Sequence, residues 1–168
     1  MHIGTRLTLV NRAPIDRPTC RGRRIQFLHI PKTGGTTFRY IMEGYAAVKG
    51  LKSLNEARMM AETPGAPVDL GPARLAMGMR PYPDLLRRAD TCYLTLLREP
   101  VQRLRSRISM LADRAGTGWR HQIDQLAWQE ANRACHLLSG GMEAPETALL
   151  AAKSALEHKV HLFGLQEE

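Results

Sequence analysis

Hydrophobic positions along the chain change period several times, and each change marks an element. Ile25, Phe27, Leu28 and Ile30 form an apolar run of strand length, which Pro31 ends because proline cannot donate to a sheet ladder. Phe38, Ile41, Met42 and Tyr45 then recur at helical spacing, predicting a helix from Thr36 to about Val48 that Gly50 terminates. Leu54 to Glu62, carrying Met59 and Met60 as core filler, reads as a second short helix, and the proline- and glycine-rich stretch 63–72 as a loop. Ala73 to Met79 is a candidate strand, and a short helix runs through Leu85 and Leu86. Thr91 to Leu97 is continuous, apolar and β-rich, as a strand buried on both faces should be. It gives way at Arg98-Glu-Pro to a helix with Val101, Leu104, Ile108 and Leu111 on one face. Arg103, Arg105 and Arg107 lie off that face. A long helix from Trp119 to about Leu138, an alanine-rich helix from Pro145 to His158 and a last strand from Val160 to Leu165 complete the chain. Arg6 to Val10 is a possible short strand ahead of all this. Strands alternating with helices predict an α/β domain with a central, mostly parallel sheet flanked by helices.

Length and composition leave that picture standing. At 168 residues and 43% hydrophobic content the chain suits one globular domain. No apolar run is long enough to span a bilayer and no apolar leader segment opens the chain, so a cytoplasmic location is expected. Cys20, Cys92 and Cys135 are widely spaced, without a C-x-x-C pair or a His cluster at zinc-ligand spacing, and read as reduced structural thiols; no metal is expected. The net charge of +8 is uneven: residues 1 to 40 hold eight basic side chains against Asp16 alone, whereas the remainder holds 16 basic against 15 acidic. Residues 1–24 therefore read as a basic lead-in segment, able to attract an anion, a glycan or nucleic acid, or simply a solvated arm.

Chemistry concentrates at the two strand-to-helix junctions. After the strand at 25–30 come Lys32, Thr33, Gly34, Gly35, Thr36 and Thr37. Two glycines permit positive φ and bring backbone N–H groups up to a ligand, a threonine can cap the helix, and the helix N-terminus attracts anions that Lys32 neutralises. An ordinary turn with a surface lysine is the plain alternative, but it does not call for a lysine, two glycines and three threonines within six residues. Lys32 precedes the glycines, whereas in a Walker A loop the lysine follows them, which disfavours an ATPase or kinase. At the second junction Arg98 stands at the carboxyl end of a strand, the edge where open α/β sheets bind ligands, and Ser106 follows eight residues later, about two helical turns in.

His29-Ile-Pro-Lys-Thr-Gly-Gly-Thr-Thr-Phe38 resembles the 5′-phosphosulfate loop of sulfotransferases that use 3′-phosphoadenosine 5′-phosphosulfate (PAPS). It is most similar to the Golgi-type carbohydrate sulfotransferases, including the heparan sulfate 6-O enzymes, and their bacterial relatives. Arg98-Glu-Pro with Ser106 resembles the family's 3′-phosphate motif. The resemblance implies a P-loop-like three-layer fold over residues 25–168, PAPS as co-substrate without a metal, and a hydroxyl-bearing small molecule or glycan as acceptor. Carried over, Lys32 is the catalytic residue that neutralises the transferring group and the departing phosphate. Lys32, Thr33, Gly34, Gly35, Thr36 and Thr37 would hold the 5′ end, and Arg98 and Ser106 the 3′-phosphate. Ala131 to Gly140 resembles a further family segment whose polar pattern is only partly kept, being lost at Ala134 and Cys135. Phe163-Gly-Leu165 resembles an ending that in relatives leads into another helix, so a C-terminally shortened domain is expected, and the lack of a Golgi anchor points to a bacterial-type enzyme.

One part is missing. Transfer to a hydroxyl usually needs a base, and many relatives have Gly-His where this chain has Gly78-Met79. His29 reads as a packed histidine more than as a base, and Glu43, His121, His136 and His161 are unplaced candidates. Two other readings follow: a PAPS-binding module that has lost its base, and a basic nucleic-acid-binding protein, which is disfavoured because no recognition pattern accompanies the arginines.

Overall fold

The structure, a computed structural model, describes residues 6–10, 20, 23–55, 72–78, 90–115, 130, 132–140 and 144–167. Six strands form one sheet: β1 (Arg6–Val10), β2 (Arg24–Leu28), β3 (Ser53–Asn55), β4 (Leu75–Gly78), β5 (Thr91–Arg98) and β6 (Leu162–Glu167), in the order β1-β6-β5-β2-β4-β3. Strands β2 to β6 are mutually parallel, and β1 closes one edge antiparallel to β6, pairing Leu7 with Gln166. The fold is thus α/β with a mostly parallel sheet, as the alternation of periods predicts, and β1 from the basic N-terminal stretch takes part in it.

Among the described residues the helices with full bounds are α1 (Gly35–Val48), α2 (Pro100–Ala115), α3 (Arg133–Ser139) and α4 (Pro145–His158). Alternate residues of β2 feed opposite cores. Phe27 and Ile25 pack with Leu75, Met77, Leu94, Leu96 and the Phe38, Met42 and Ala46 face of α1. Leu28 and Ile30 pack with Tyr93 and with Leu137, Leu138, Ala152 and Ala155 of α3 and α4. Apolar surface on both faces of a parallel sheet needs helices on both sides, and here it has them.

The chain leaves β2 through α1 to the β3–β4 side of the sheet and later crosses to β5 and β6 on the other side. The connections therefore part above the carboxyl ends of β2 and β5, and that divergence opens the crevice where such sheets bind ligands. Thr95, buried in β5, donates from Oγ1 to the Leu28 carbonyl at 2.9 Å and locks the two strand ends together.

Several expectations change. Residues 53–55, placed partly in a helix by their sequence, form the short edge strand β3 instead. The helix expected to run through to Leu138 is broken at Asn132, whose φ of 54° is left-handed, so α3 is a separate seven-residue piece. The last strand starts two residues later than expected, at Leu162. Cys20 and Cys92 are not reduced thiols but a disulfide, with Cα atoms 5.6 Å apart, and only Cys135 is free. Widely separated cysteines gave no spacing signal, because the sheet, not the sequence, brings position 92 beside the lead-in to β2. The expected loop at 63–72 and the helix through Leu85 and Leu86 lie outside the described residues. Among the described residues no helix is long and apolar enough to cross a membrane, and no cluster of His, Cys, Asp and Glu could hold a metal ion.

Candidate functional site

Between β2 and α1 the backbone takes two left-handed residues in succession of three, Lys32 at φ 68° and Gly34 at φ 78°. Glycine adopts this freely; for lysine it costs about 1–2 kcal/mol, so something must hold it. Thr33, 1% exposed, donates from Oγ1 to the Ile30 carbonyl at 2.7 Å and folds the loop back on its own strand. Arg98 reaches across from the end of β5 and donates from Nη1 to the Lys32 carbonyl at 3.4 Å. Thr33 therefore serves the loop with its hydroxyl.

Gly34, not a threonine, is the N-cap of α1, and no side chain caps the helix. The first intrahelical bond runs from Phe38 N to Gly34 O at 3.2 Å, so the N–H groups of Gly35, Thr36 and Thr37 have no helical acceptor. Thr36 and Thr37 are exposed in this first turn, which carries no acidic residue. Unpaired donors, the positive end of the helix dipole and no competing carboxylate together suit an anion.

The loop is held down by His29. Its ring stacks on Phe27 at 5.8 Å and lies so close to Gly35 that a Cβ at that position would overlap it. Burial, and then the nearby Arg39 charge, push its pKa below the ordinary 6.5, so it stands neutral under the helix start. Its place there is as packing, as its position in the strand suggests.

Lys32, Arg98 and Ser106 line one cavity of about 480 Å³ together with Gln102, Arg105, Ser109, Met110 and Asp113. The two motifs, 66 positions apart, thus meet. Thr33, Gly34, Gly35, Thr36 and Thr37 are not among its lining residues; they form the adjoining loop and helix start. Three cations face a single carboxylate, Asp113, among the described residues of the lining. The sequence places Arg105 only off the apolar face of this helix and gives no role to Ser109, although positions 102, 105, 106 and 109 recur at helical spacing and mark one face of α2. Glu99 fixes where that face begins: Oε1 accepts from Val101 N at 3.0 Å and Oε2 from Gln102 N at 2.7 Å. These bonds hold its carboxyl below the usual range, with Arg105 and Arg98 adding to the effect.

Arg103 departs from expectation. It is 5% exposed, bonded to Glu130 Oε2 at 2.8 Å and to the Glu130 carbonyl at 2.5 Å, while Arg107 Nε takes Oε1 at 3.1 Å. These two arginines anchor α2 and leave Arg105 to the cavity. A second hollow of about 340 Å³ lies on the other flank of Arg98, lined by Pro100, Val101 and Leu104 of α2 and by Ala134 and Cys135 of α3.

None of the candidate bases among the described residues lines the main cavity. Glu43 pairs with Arg39 one turn back on α1 at 3.8 Å. His161 Nδ1 accepts from Tyr93 N at 3.2 Å and its own N–H donates to the Tyr93 carbonyl, which makes it a strand fastener. His136 sits within α3. Met79 and His121 lie outside the described residues. No protein-family model, curated protein or solved structure matches the chain.

Proposed function

We propose that this chain is a P-loop-like PAPS-dependent sulfotransferase acting on a hydroxyl acceptor, with saccharides as the first acceptors to test. The observation that carries the reading is the meeting of Lys32, Arg98 and Ser106 in one basic cavity at the switch point of a parallel sheet. The strand that leads into the anion loop is central in the sheet, which fits the P-loop-like arrangement. The N–H groups of Gly35, Thr36 and Thr37 suit the 5′-phosphosulfate, and the Arg98, Arg105 and Ser106 end of the cavity suits a second phosphate.

In the reaction the acceptor oxygen attacks sulfur in line. The sulfur–oxygen bond to the 5′-phosphate breaks, its electron pair leaving with adenosine 3′,5′-bisphosphate, and the acceptor proton is released. Lys32 neutralises the transferring group and the departing phosphate, an electrostatic contribution that preorganised cations make well. Among the described residues, none of the candidate bases stands in the cavity to take the acceptor proton. That gap favours a second reading, a PAPS-binding module without turnover. Incubation with radiolabelled PAPS and a panel of hydroxyl acceptors separates the two. Label transfer that Lys32→Ala abolishes is expected; binding without transfer to any acceptor would leave the second reading.

A further inference from the structure

The main cavity continues past the residues placed on the second phosphate. On its α2 wall Ser106 is followed by Ser109, Met110 and Asp113, positions three, four and seven further on, which therefore share its face of the helix. Asp113 stands two turns beyond Ser106, about 10 Å along the helix axis. The cavity changes character over that length. At the sheet edge it is cationic, with Lys32 and Arg98, and at its far end it presents a carboxylate.

That carboxylate is exposed and, among the described residues, in no ion pair. It sits in the last turn of α2, where the helix dipole disfavours a negative charge. A residue that breaks a local rule with no compensating partner in the fold is a candidate for a ligand contact. The hollow on the other flank of Arg98 offers no such acceptor, because its carboxylate, Glu130, is engaged by Arg103 and Arg107. A ligand with one phosphate on Arg98 and Ser106 and its remaining length along α2 meets the Met110 thioether, a soft surface that suits a flat aromatic ring. Beyond it lies Asp113, an acceptor for an N–H group. Phosphate, ring and donor in that order match the 3′-phosphate, purine and exocyclic amine of an adenosine 3′-phosphate. We propose that Asp113 is a specificity-determining residue for the nucleotide, its carboxylate accepting from the exocyclic amine of the base. It rests on the reading of Arg98 and Ser106 as a 3′-phosphate site given above.

The test is calorimetric titration of the full chain with adenosine 3′,5′-bisphosphate and with purine riboside 3′,5′-bisphosphate, which differs only in lacking the amine. Wild type should bind the adenosine compound about tenfold more tightly or better, the worth of one hydrogen bond to a charged group. Asp113→Ala should bring the two affinities within about twofold of each other. Losing a negative charge strengthens the binding of both bisphosphates alike, so the ratio isolates the base. Because Asp113 is exposed and opposes the helix dipole, Asp113→Ala should leave thermal unfolding unchanged or raise Tm. Equal affinities in wild type, or an undiminished preference in Asp113→Ala, overturns the role of Asp113 and leaves the 3′-phosphate site in place. A lowered Tm with the preference kept marks Asp113 as structural and overturns it equally. Failure of wild type to bind either bisphosphate overturns the cofactor reading and this role with it.

Discussion

Gly35→Ala places one methyl group where the loop has least room. The new Cβ would overlap the His29 ring, so the ring or the loop must shift. The ring stacks on Phe27, which is fully buried and itself touches Phe38 with centroids 4.7 Å apart. Either His29 is expelled from its place on the β2–α1 core or the first turn of α1 lifts off the loop. Overpacking of this kind costs about 2 kcal/mol, which for a chain of this length lowers Tm by roughly 4–8 °C. The lifted turn also carries the N–H groups of Gly35, Thr36 and Thr37 away from the anion, so affinity for adenosine 3′,5′-bisphosphate should fall as well. Thermal unfolding and titration of Gly35→Ala, His29→Ala and the double variant read both effects. Trimming the ring should make the methyl tolerable, so the double variant should be more stable than the sum of the single losses by about 0.5–3 kcal/mol, the usual coupling of touching residues. Wild-type stability in Gly35→Ala, or strict additivity in the double variant, would refute the packing argument.

Three further outcomes follow from the same structure. Glu130→Gln leaves the buried Arg103 facing a neutral partner and should cost about 3–5 kcal/mol in urea unfolding, whereas Glu43→Gln on the α1 surface should cost less than about 1 kcal/mol. His29 has a folded pKa below its ordinary 6.5, so the unfolded chain takes up the proton first. Its stability contribution is therefore complete above pH 6.5 and is lost as pH falls through that value toward the folded pKa; His29→Gln should flatten the decline, and an unchanged slope between the two proteins would speak against a neutral folded His29. The Cys20–Cys92 disulfide closes a loop of 72 positions, so thiol titration of the denatured, unreduced chain should find one free thiol, Cys135, and reduction should remove about 4 kcal/mol of stability.

The β2 loop and the start of α2 were legible because each is written in local chemistry: a proline that stops a strand, glycines that accept left-handed φ, an Arg-Glu-Pro in which Glu99 caps the helix and Pro100 opens it. What local chemistry does not encode is which residues the sheet places side by side. Cys20 meets Cys92, and Gln166 meets Gly34, only through strand pairing across many positions. Arg103 and Arg105 look alike in sequence, yet one is buried on Glu130 and the other lines the cavity, because two positions along a helix turn a side chain to a different face. Leu54 and its neighbours have helical periodicity but pair with β4 as an edge strand, a case of sheet pairing overriding local pattern.

The proposed function depends most on Arg98 and Ser106 holding a second phosphate beside the loop. Titrating wild type and Arg98→Ala with adenosine 3′,5′-bisphosphate and with adenosine 5′-monophosphate, which lacks the 3′-phosphate, tests that dependence. Wild type should prefer the bisphosphate by at least tenfold, and Arg98→Ala should lose most of that preference while keeping weak binding of the monophosphate. Equal affinity of wild type for the two nucleotides, or an undiminished preference in Arg98→Ala, would contradict it.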